Sequence, residues 1–75
     1  MVAYPNPTRD FVNLKVEQPT GLEYLLIDMS GRVLRTESLS DESTIIGFHN
    51  LRPNIYFINV MDGLKVLQTF KVIKK

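Results

Sequence analysis

The sequence predicts an all-β fold, a small antiparallel β-sandwich. Apolar and polar residues alternate in short runs, and turn residues separate these runs roughly every 6 to 12 positions. No stretch has the period of a helix, and none repeats another. The chain has 75 residues and no cysteine, so we expect one domain that is stabilised by apolar packing or by a partner rather than by disulfides.

Six strands follow from the alternation and from the turns between them. They are Phe11–Val16, Leu22–Asp28, Arg32–Glu37, Thr44–Phe48, Asn54–Met61 and Leu64–Ile73. The residues expected to face the core are Val12, Leu14, Val16, Leu22, Tyr24, Leu26, Ile46, Phe48, Leu51, Tyr56, Ile58, Val60, Val66, Phe70 and Val72. In the third strand the pattern does not decide between Val33 and Leu34. Ser38–Ser43 is predicted to be a polar loop.

The opposite face of the second strand carries Leu25 and Ile27. This face is more apolar than a free surface usually is, which favours cover by a partner or a neighbouring domain. The last two strands form a hairpin, for which Asp62-Gly63 predicts a type I′ turn with both residues at positive φ.

The first residues predict an extended connector. Pro5 and Pro7 lack an amide hydrogen and push the residues before them toward extended geometry, so Tyr4–Pro7 is expected to be irregular. We therefore expect residues 1–9 to be a linker from an upstream domain and residues 10–75 to be the folded unit. Because Met1 directly precedes this connector, the chain is expected to be the end of a longer protein.

Composition and motifs disfavour several classes of function. A net charge of +1 lacks the basic excess of a nucleic-acid binder, and there is no phosphate-binding loop. His49, the one histidine, lies near Asp41 and Ser43 in sequence, but no glycine-rich elbow or oxyanion donor accompanies them. We therefore expect no enzyme, no metal site and no cofactor.

Three features have both a functional and a structural interpretation. Asp28 could bind calcium, but a turn-forming aspartate explains Asp28-Met29-Ser30-Gly31 better. Tyr24 and Tyr56 could form a sugar platform, but core positions are favoured. Lysines close the last strand and could touch phosphate or lipid, although a solvated edge that resists aggregation is the simpler interpretation.

Four motifs, in order, resemble a known family. They are Tyr4-Pro5-Asn6-Pro7, the segment LIDMSGRV at 26–33, Leu51 followed by Tyr56 and Val60, and the final Lys71-Val72-Ile73-Lys74 with Lys75. This order is similar to the type A C-terminal sorting domain of the type IX (Por) secretion system of Bacteroidota. The family usually has glycine two residues before the tyrosine, where this chain has Asn54, a residue that tolerates left-handed φ. By this resemblance the sorting motif comprises Tyr4, Pro5, Asn6, Pro7, Asp28, Gly31, Leu51, Asn54, Tyr56, Lys71, Val72, Ile73, Lys74 and Lys75.

The resemblance implies an immunoglobulin-like sandwich of about seven strands that acts as an address label. It implies transit through the periplasm and then a place at the cell surface or outside. The partners implied are an upstream cargo domain, the outer-membrane translocon, its shuttle proteins and a sortase-like peptidase that cuts at or just before Tyr4. The terminal strand is expected to be the part recognised, by addition of a strand at its edge, and the same edge could give a strand-mediated homodimer.

A second interpretation is a fibronectin-like or immunoglobulin-like module that binds carbohydrate or mediates adhesion. Fold alone does not separate the two, because function depends on sites placed on folds. A sugar-binding module should expose a row of aromatic residues, whereas this chain has no tryptophan and most of its aromatic residues have inward parity. A sorting label should also end its native protein.

Overall fold

In the computed structural model, which describes all residues from Met1 to Lys75, the chain forms seven strands and no helix. They are β1 (Val2–Tyr4), β2 (Phe11–Lys15), β3 (Glu23–Ile27), β4 (Val33–Ser38), β5 (Ser43–Gly47), β6 (Asn54–Asp62) and β7 (Lys65–Lys74). One antiparallel sheet has the order β1-β2-β5 and the other β4-β3-β6-β7. The predicted β-sandwich is confirmed, and each of the six predicted strands is present with its ends within one residue. No helix long and apolar enough to cross a membrane is found.

The core lies between the two sheets and consists of twelve buried apolar side chains. They are Val12, Leu14, Val16, Tyr24, Leu26, Leu39, Ile46, Phe48, Tyr56, Ile58, Val60 and Val72. Eleven of them were predicted from alternation. The exception is Leu39, which lies in the segment predicted to be a polar loop. Its amide donates a hydrogen bond to the Leu22 carbonyl at 2.9 Å, and its side chain is buried. Leu22, Leu51 and Phe70 are partly buried against this core.

The prediction that Val66 faces the core is wrong, because β7 contains a bulge. Val60 pairs with Gln68 and Met61 pairs with Val66, which leaves Leu67 as an extra residue. An extra residue reverses the side-chain alternation of everything on its far side. Val66 therefore lies on the outer face and is 47% exposed.

The hairpin turn also differs from the prediction. Asp62 pairs with Lys65, so the two-residue loop is Gly63-Leu64 and not Asp62-Gly63. Gly63 has φ +59°, and no residue other than glycine has a positive φ. The predicted type I′ turn is therefore wrong, and glycine at the first central position fits a type II′ turn.

The edge strand β4 has polar inward contacts that link it to both sheets. Its pairing with β3 shifts at Leu34, which puts Arg35 opposite the buried Leu26. The Arg35 guanidinium donates to the Gly47 carbonyl of the other sheet at 3.2 Å. The Tyr24 hydroxyl donates to the Glu37 carboxylate. Burial, and then this bond to Glu37, raises the pKa of Tyr24 to about 12. Val33 and Leu34 are both exposed.

The connector is docked on the sandwich. Val2–Tyr4 pairs with β2, and Thr8 pairs in parallel with Lys74 of β7. The Tyr4–Pro5 and Asn6–Pro7 peptide bonds are cis. The expectation that Tyr4–Pro7 is irregular is therefore wrong for Tyr4, which belongs to β1. The division into an upstream linker and a sorting domain stays a prediction.

The position of Leu26 at the centre of the core gives a first prediction. Leu26→Ala should lower the free energy of unfolding by about 2 to 5 kcal/mol, since it removes a fully buried side chain and leaves a cavity. Leu25→Ala, on the half-buried outer face of the same strand, is the control and should cost clearly less. Urea unfolding followed by circular dichroism measures both. Equal losses would show that the two faces of β3 are packed alike.

Candidate recognition site

One end of the sandwich collects most of the motif residues. It is formed by residues 5–10, 28–32, 48–53 and 71–75, and we call it the connector end. Asn54 begins β6 here and pairs with Lys74 at the end of β7. The backbone of Phe48 donates to the Asp10 carbonyl at 2.8 Å, which brings the end of β5 to the start of β2. Antiparallel pairing thus brings together segments that are far apart in sequence.

A shallow groove of about 590 Å³ opens at this end, between the β3–β4 turn and the start of β6. Four motif residues line it, namely Asp28, Leu51, Asn54 and Tyr56. Arg32 and Arg52 are exposed on its walls, together with the apolar side chains of Met29 and Leu34. The groove therefore offers donors and apolar contacts to a ligand, but no buried reactive group.

Asp28 organises the turn on one side of the groove. Its Oδ1 accepts from the Ser30 amide at 2.9 Å, the Ser30 hydroxyl at 2.7 Å and the Arg32 amide at 3.0 Å. Its Oδ2 accepts from Arg32 Nε at 3.1 Å. Gly31 closes the turn at φ +88°. The Ser30 hydroxyl, then the Arg32 amide, lowers the pKa of Asp28 from 3.8 to about 2. The interpretation as a turn-forming aspartate is confirmed by these bonds.

Tyr56 fixes the opposite side of the groove. Its hydroxyl donates to the Arg52 carbonyl at 2.8 Å, four residues upstream. Its ring packs edge-to-face on Phe48, with ring centroids 5.8 Å apart. A buried tyrosine that bonds back to the chain just before its own strand also holds a corner in immunoglobulin-type sandwiches. The bond sets the path of residues 52–54 into β6.

Asn54 does not use the left-handed φ that asparagine tolerates, because only glycines have positive φ in this structure. Asn54 is instead the first residue of β6. Its side-chain oxygen accepts from the amide of Ile55 at 2.8 Å. Asparagine can therefore replace the glycine of the family pattern without any left-handed turn.

The terminal strand forms the second part of the connector end. The side-chain carboxamide of Asn6 makes two hydrogen bonds with the backbone of this strand. Its Nδ2 donates to the Lys71 carbonyl at 2.7 Å, and its Oδ1 accepts from the Ile73 amide at 2.9 Å. Thr8 continues the contact, since its amide donates to the Ile73 carbonyl and its carbonyl accepts from the Lys75 amide, both at 2.8 Å. Four hydrogen bonds thus join Asn6–Thr8 to the terminal strand, so the edge expected to be open to a receptor is already occupied in the folded domain.

The lysines of this strand differ in their surroundings. Lys71 and Lys75 are exposed, whereas Lys74 is 8% exposed and lies beside the buried Thr8. Lysine can bury its aliphatic stem while its ammonium reaches a polar group, and Lys74 Nζ donates to a main-chain oxygen of Lys75 at 3.0 Å. The interpretation as a wholly solvated edge is therefore wrong for Lys74. Val72, between them, is a core residue.

Tyr4 stands apart from the other motif residues. It ends β1, is 43% exposed, and its ring lies under the Lys15 ammonium, which is 5.6 Å from the ring centroid. Pro5 and Pro7 are exposed on either side of Asn6. The motif thus divides between a groove, a covered strand edge and one separate tyrosine.

Charge is segregated along the sandwich. Six of the nine basic residues lie at the connector end, and only two of the eight acidic residues, Asp10 and Asp28, accompany them. The basic ones are Arg9, Arg32, Arg52, Lys71, Lys74 and Lys75. The net charge of the chain is only +1, because most carboxylates lie at the opposite end and offset these basic groups.

The residues considered for other chemistry are not brought together. Ser43 begins β5 and His49 follows its end, so a five-residue strand of roughly 3.3 Å per residue separates the supposed triad members. Both Asp28 oxygens are occupied by hydrogen bonds, and no group of three or more His, Cys, Asp or Glu could hold a metal. Tyr24 and Tyr56 are buried, which confirms the core interpretation and removes the sugar platform.

Sequence reasoning missed Thr8 and Arg52. Thr8 is 2% exposed and bridges to β7, and Arg52 provides the carbonyl that holds Tyr56. Neither position follows a period, because one lies in the proline-containing connector and the other in a loop. The spacing of Arg52 four residues before a buried tyrosine is the one local signal that could have identified it.

A family model described as "Secretion system C-terminal sorting domain" matches residues 2–75. The chain belongs to this family of type IX secretion sorting domains. No curated protein and no solved structure matches it. The match includes β1 and the connector, so the residues that bond to the terminal strand fall within the family domain. Membership implies a sorting signal for an upstream cargo, interaction with the secretion machinery, and export to the cell surface or outside.

The bonds of Asp28 predict a dependence of stability on pH. A pKa lowered by folding means that Asp28 stabilises the fold above about pH 4, and that this contribution is lost as the pH falls toward about 2. Asp28→Asn should therefore be less stable than the wild type at neutral pH. Between pH 4 and about 2, its free energy of unfolding should fall less than that of the wild type. Urea midpoints from pH 2 to 7 measure it. Asp41→Asn, in an exposed loop, is the control, and a wild-type slope in Asp28→Asn would exclude this role.

The hydroxyl of Tyr56 gives a further prediction. Tyr56→Phe should lower the free energy of unfolding by about 1 kcal/mol, since the ring contact remains while the Arg52 carbonyl loses its donor. Tyr4→Phe is the matched control and should change little, since the Tyr4 hydroxyl accepts only a long, exposed hydrogen bond of 3.5 Å from Asn13. Thermal unfolding of both variants gives the comparison. Stability equal to the wild type in Tyr56→Phe would mean that the corner bond does not contribute.

Proposed function

We propose that this domain is a non-catalytic handle by which the outer-membrane translocon of the type IX system and its shuttle proteins recognise an upstream cargo. In this proposal the cargo and the attached domain pass together through the periplasm. A sortase-like peptidase then cuts the chain at or just before Tyr4. The observation that carries the proposal is the family match over residues 2–75.

The connector end is the surface that we assign to recognition. It combines the groove beside Asp28 and Tyr56 with the terminal strand and most of the basic side chains. Side chains on rigid strands and short turns are well suited to specific binding, because little freedom is lost when they are bound. A receptor with an acidic surface would be attracted to this end.

Strand addition remains our proposed mode of recognition, with one structural condition. Along Lys71–Lys75 the outward backbone groups already bond to Asn6 and Thr8. A receptor strand could pair there only by displacing the connector. The edge of β4 (Val33–Ser38) is free of such a cover, and we assign the proposed strand-mediated homodimer to that edge.

A secretion assay tests the function directly. A fluorescent cargo with an export signal and this chain at its C-terminus should reach the surface or the medium of a type IX host. Because Val72 is in the core, truncation before Lys71 would also damage the fold, so a charge variant is the better probe. Lys71→Glu with Lys75→Glu should reduce export several-fold while the cargo still fluoresces.

Lys65→Glu, at the opposite end of β7, is the matched control and should be exported normally. Circular dichroism of the purified domains establishes that both variants are folded. Normal export of the double variant would exclude the exposed terminal lysines from recognition. Retention of the wild-type fusion in a competent host would contradict the sorting function itself.

A further inference from the structure

The contact between the connector and the terminal strand joins the two segments on which the proposed function depends. The segment to be cut includes Tyr4, and the segment to be recognised ends at Lys75. In the folded domain they are bonded to each other, over a sequence separation of more than 60 residues.

We propose that Asn6–Thr8 is a displaceable latch. It occupies the edge of β7 until an extended polypeptide strand of the export machinery replaces it, and its release exposes the connector to the peptidase. This inference rests on the proposed function, to which it adds an order of events. The latch is the segment Asn6–Thr8, and four hydrogen bonds to Lys71–Lys75 hold it in place.

The latch already shows what kind of ligand fits this edge. The Asn6 carboxamide presents a donor and an acceptor to Lys71 and Ile73 much as a peptide group would, and Thr8 pairs through its own backbone in parallel direction. A strand that runs parallel to β7 could make the same bonds and extend them with further residues. The site therefore fits an extended peptide and not a compact ligand.

The edge cannot hold the latch and a receptor strand together. The Lys71 carbonyl, both polar backbone groups of Ile73 and the Lys75 amide are all used by Asn6 and Thr8. Backbone groups of an edge that are already paired do not template another strand. Binding of a receptor strand thus requires that Asn6–Thr8 leave.

The same contact restricts the peptidase. Val2–Tyr4 (β1) pairs with β2, and Thr8, four residues after Tyr4, is buried, so the chain is held on both sides of the proposed cut. Proteases act on extended chain that has opened locally, and the rate follows the population of the open form. Release of the latch removes one of the two restraints and raises that population.

A reversible crosslink tests the coupling in the fused protein. The chain has no cysteine, and Thr8 and Lys74 are bridge partners with both side chains buried. Neighbouring strands lie within the Cα separation that a disulfide spans. The double variant Thr8→Cys with Lys74→Cys should therefore lock the latch when oxidised. Each single variant is a control that cannot form this bridge.

The expected result is that the wild type and both single variants are exported and cut, while the oxidised double variant is cut at least tenfold less. Reductant should restore it. A non-reducing gel with thiol labelling establishes that the bridge has formed. Normal cutting of the bridged form would overturn the latch and leave the sorting function intact. If the wild-type fusion is not exported, the sorting function fails and the coupling fails with it.

A measurement on the isolated 75-residue chain gives a second test. Asn6→Ala removes two latch bonds from an exposed position, so trypsin should cut after the exposed Arg9 several-fold faster than in the wild type. Asn59→Ala is the matched control, since its amide oxygen accepts only from Thr69 on the outer face of β6 and β7. Mass spectrometry quantifies the cut, and urea unfolding corrects for global stability. An unchanged rate in Asn6→Ala would contradict the latch.

Discussion

The fold depends on burial of one layer of apolar side chains between two sheets. A chain of 75 residues without cysteine or a metal cluster has few other sources of stability. Its twelve core residues come from every strand except β1 and β4, and from the segments that follow β2, β4 and β5. The two exceptions are edge strands, which contribute through hydrogen bonds to β2 and β3 and through the inward Arg35 and Glu37. Loss of one buried side chain therefore affects the whole domain.

Much of this arrangement could be predicted, because a buried face imposes a period of two on a strand. Val12, Leu14, Leu26 and Ile58 follow from that rule, as do the ends of six strands. The failures are at bulges and turns. Val66 lies beyond a bulge that no local pattern reveals. The hairpin loop lies one residue later than predicted, because its turn requires positive φ at only one position, which Gly63 occupies. Leu39 was missed because one apolar residue among polar ones has no period.

The candidate site was predictable where it is local. Asp28 and Gly31 form a turn whose bonds span four residues, and such bonds follow from residue type and spacing. The contacts of Asn6 and Thr8 are different, because their partners lie more than 60 residues away and depend on how the sheets close. Residue types in the connector and in the terminal strand therefore carry no local sign that the two segments are bonded to each other. In the folded domain, the connector covers the edge of the terminal strand, and the terminal strand holds the connector in place.

The separation of charge has a consequence for how the domain meets other molecules. Basic groups at one end and carboxylates at the other give the molecule a permanent dipole along a body whose longest dimension is 31 Å. In the field of an acidic surface such a body rotates before contact and arrives with the end that bears the two chain segments foremost. Salt screens this field over about 8 Å at physiological ionic strength, so the torque that orients the domain acts only when the two surfaces are within about that distance.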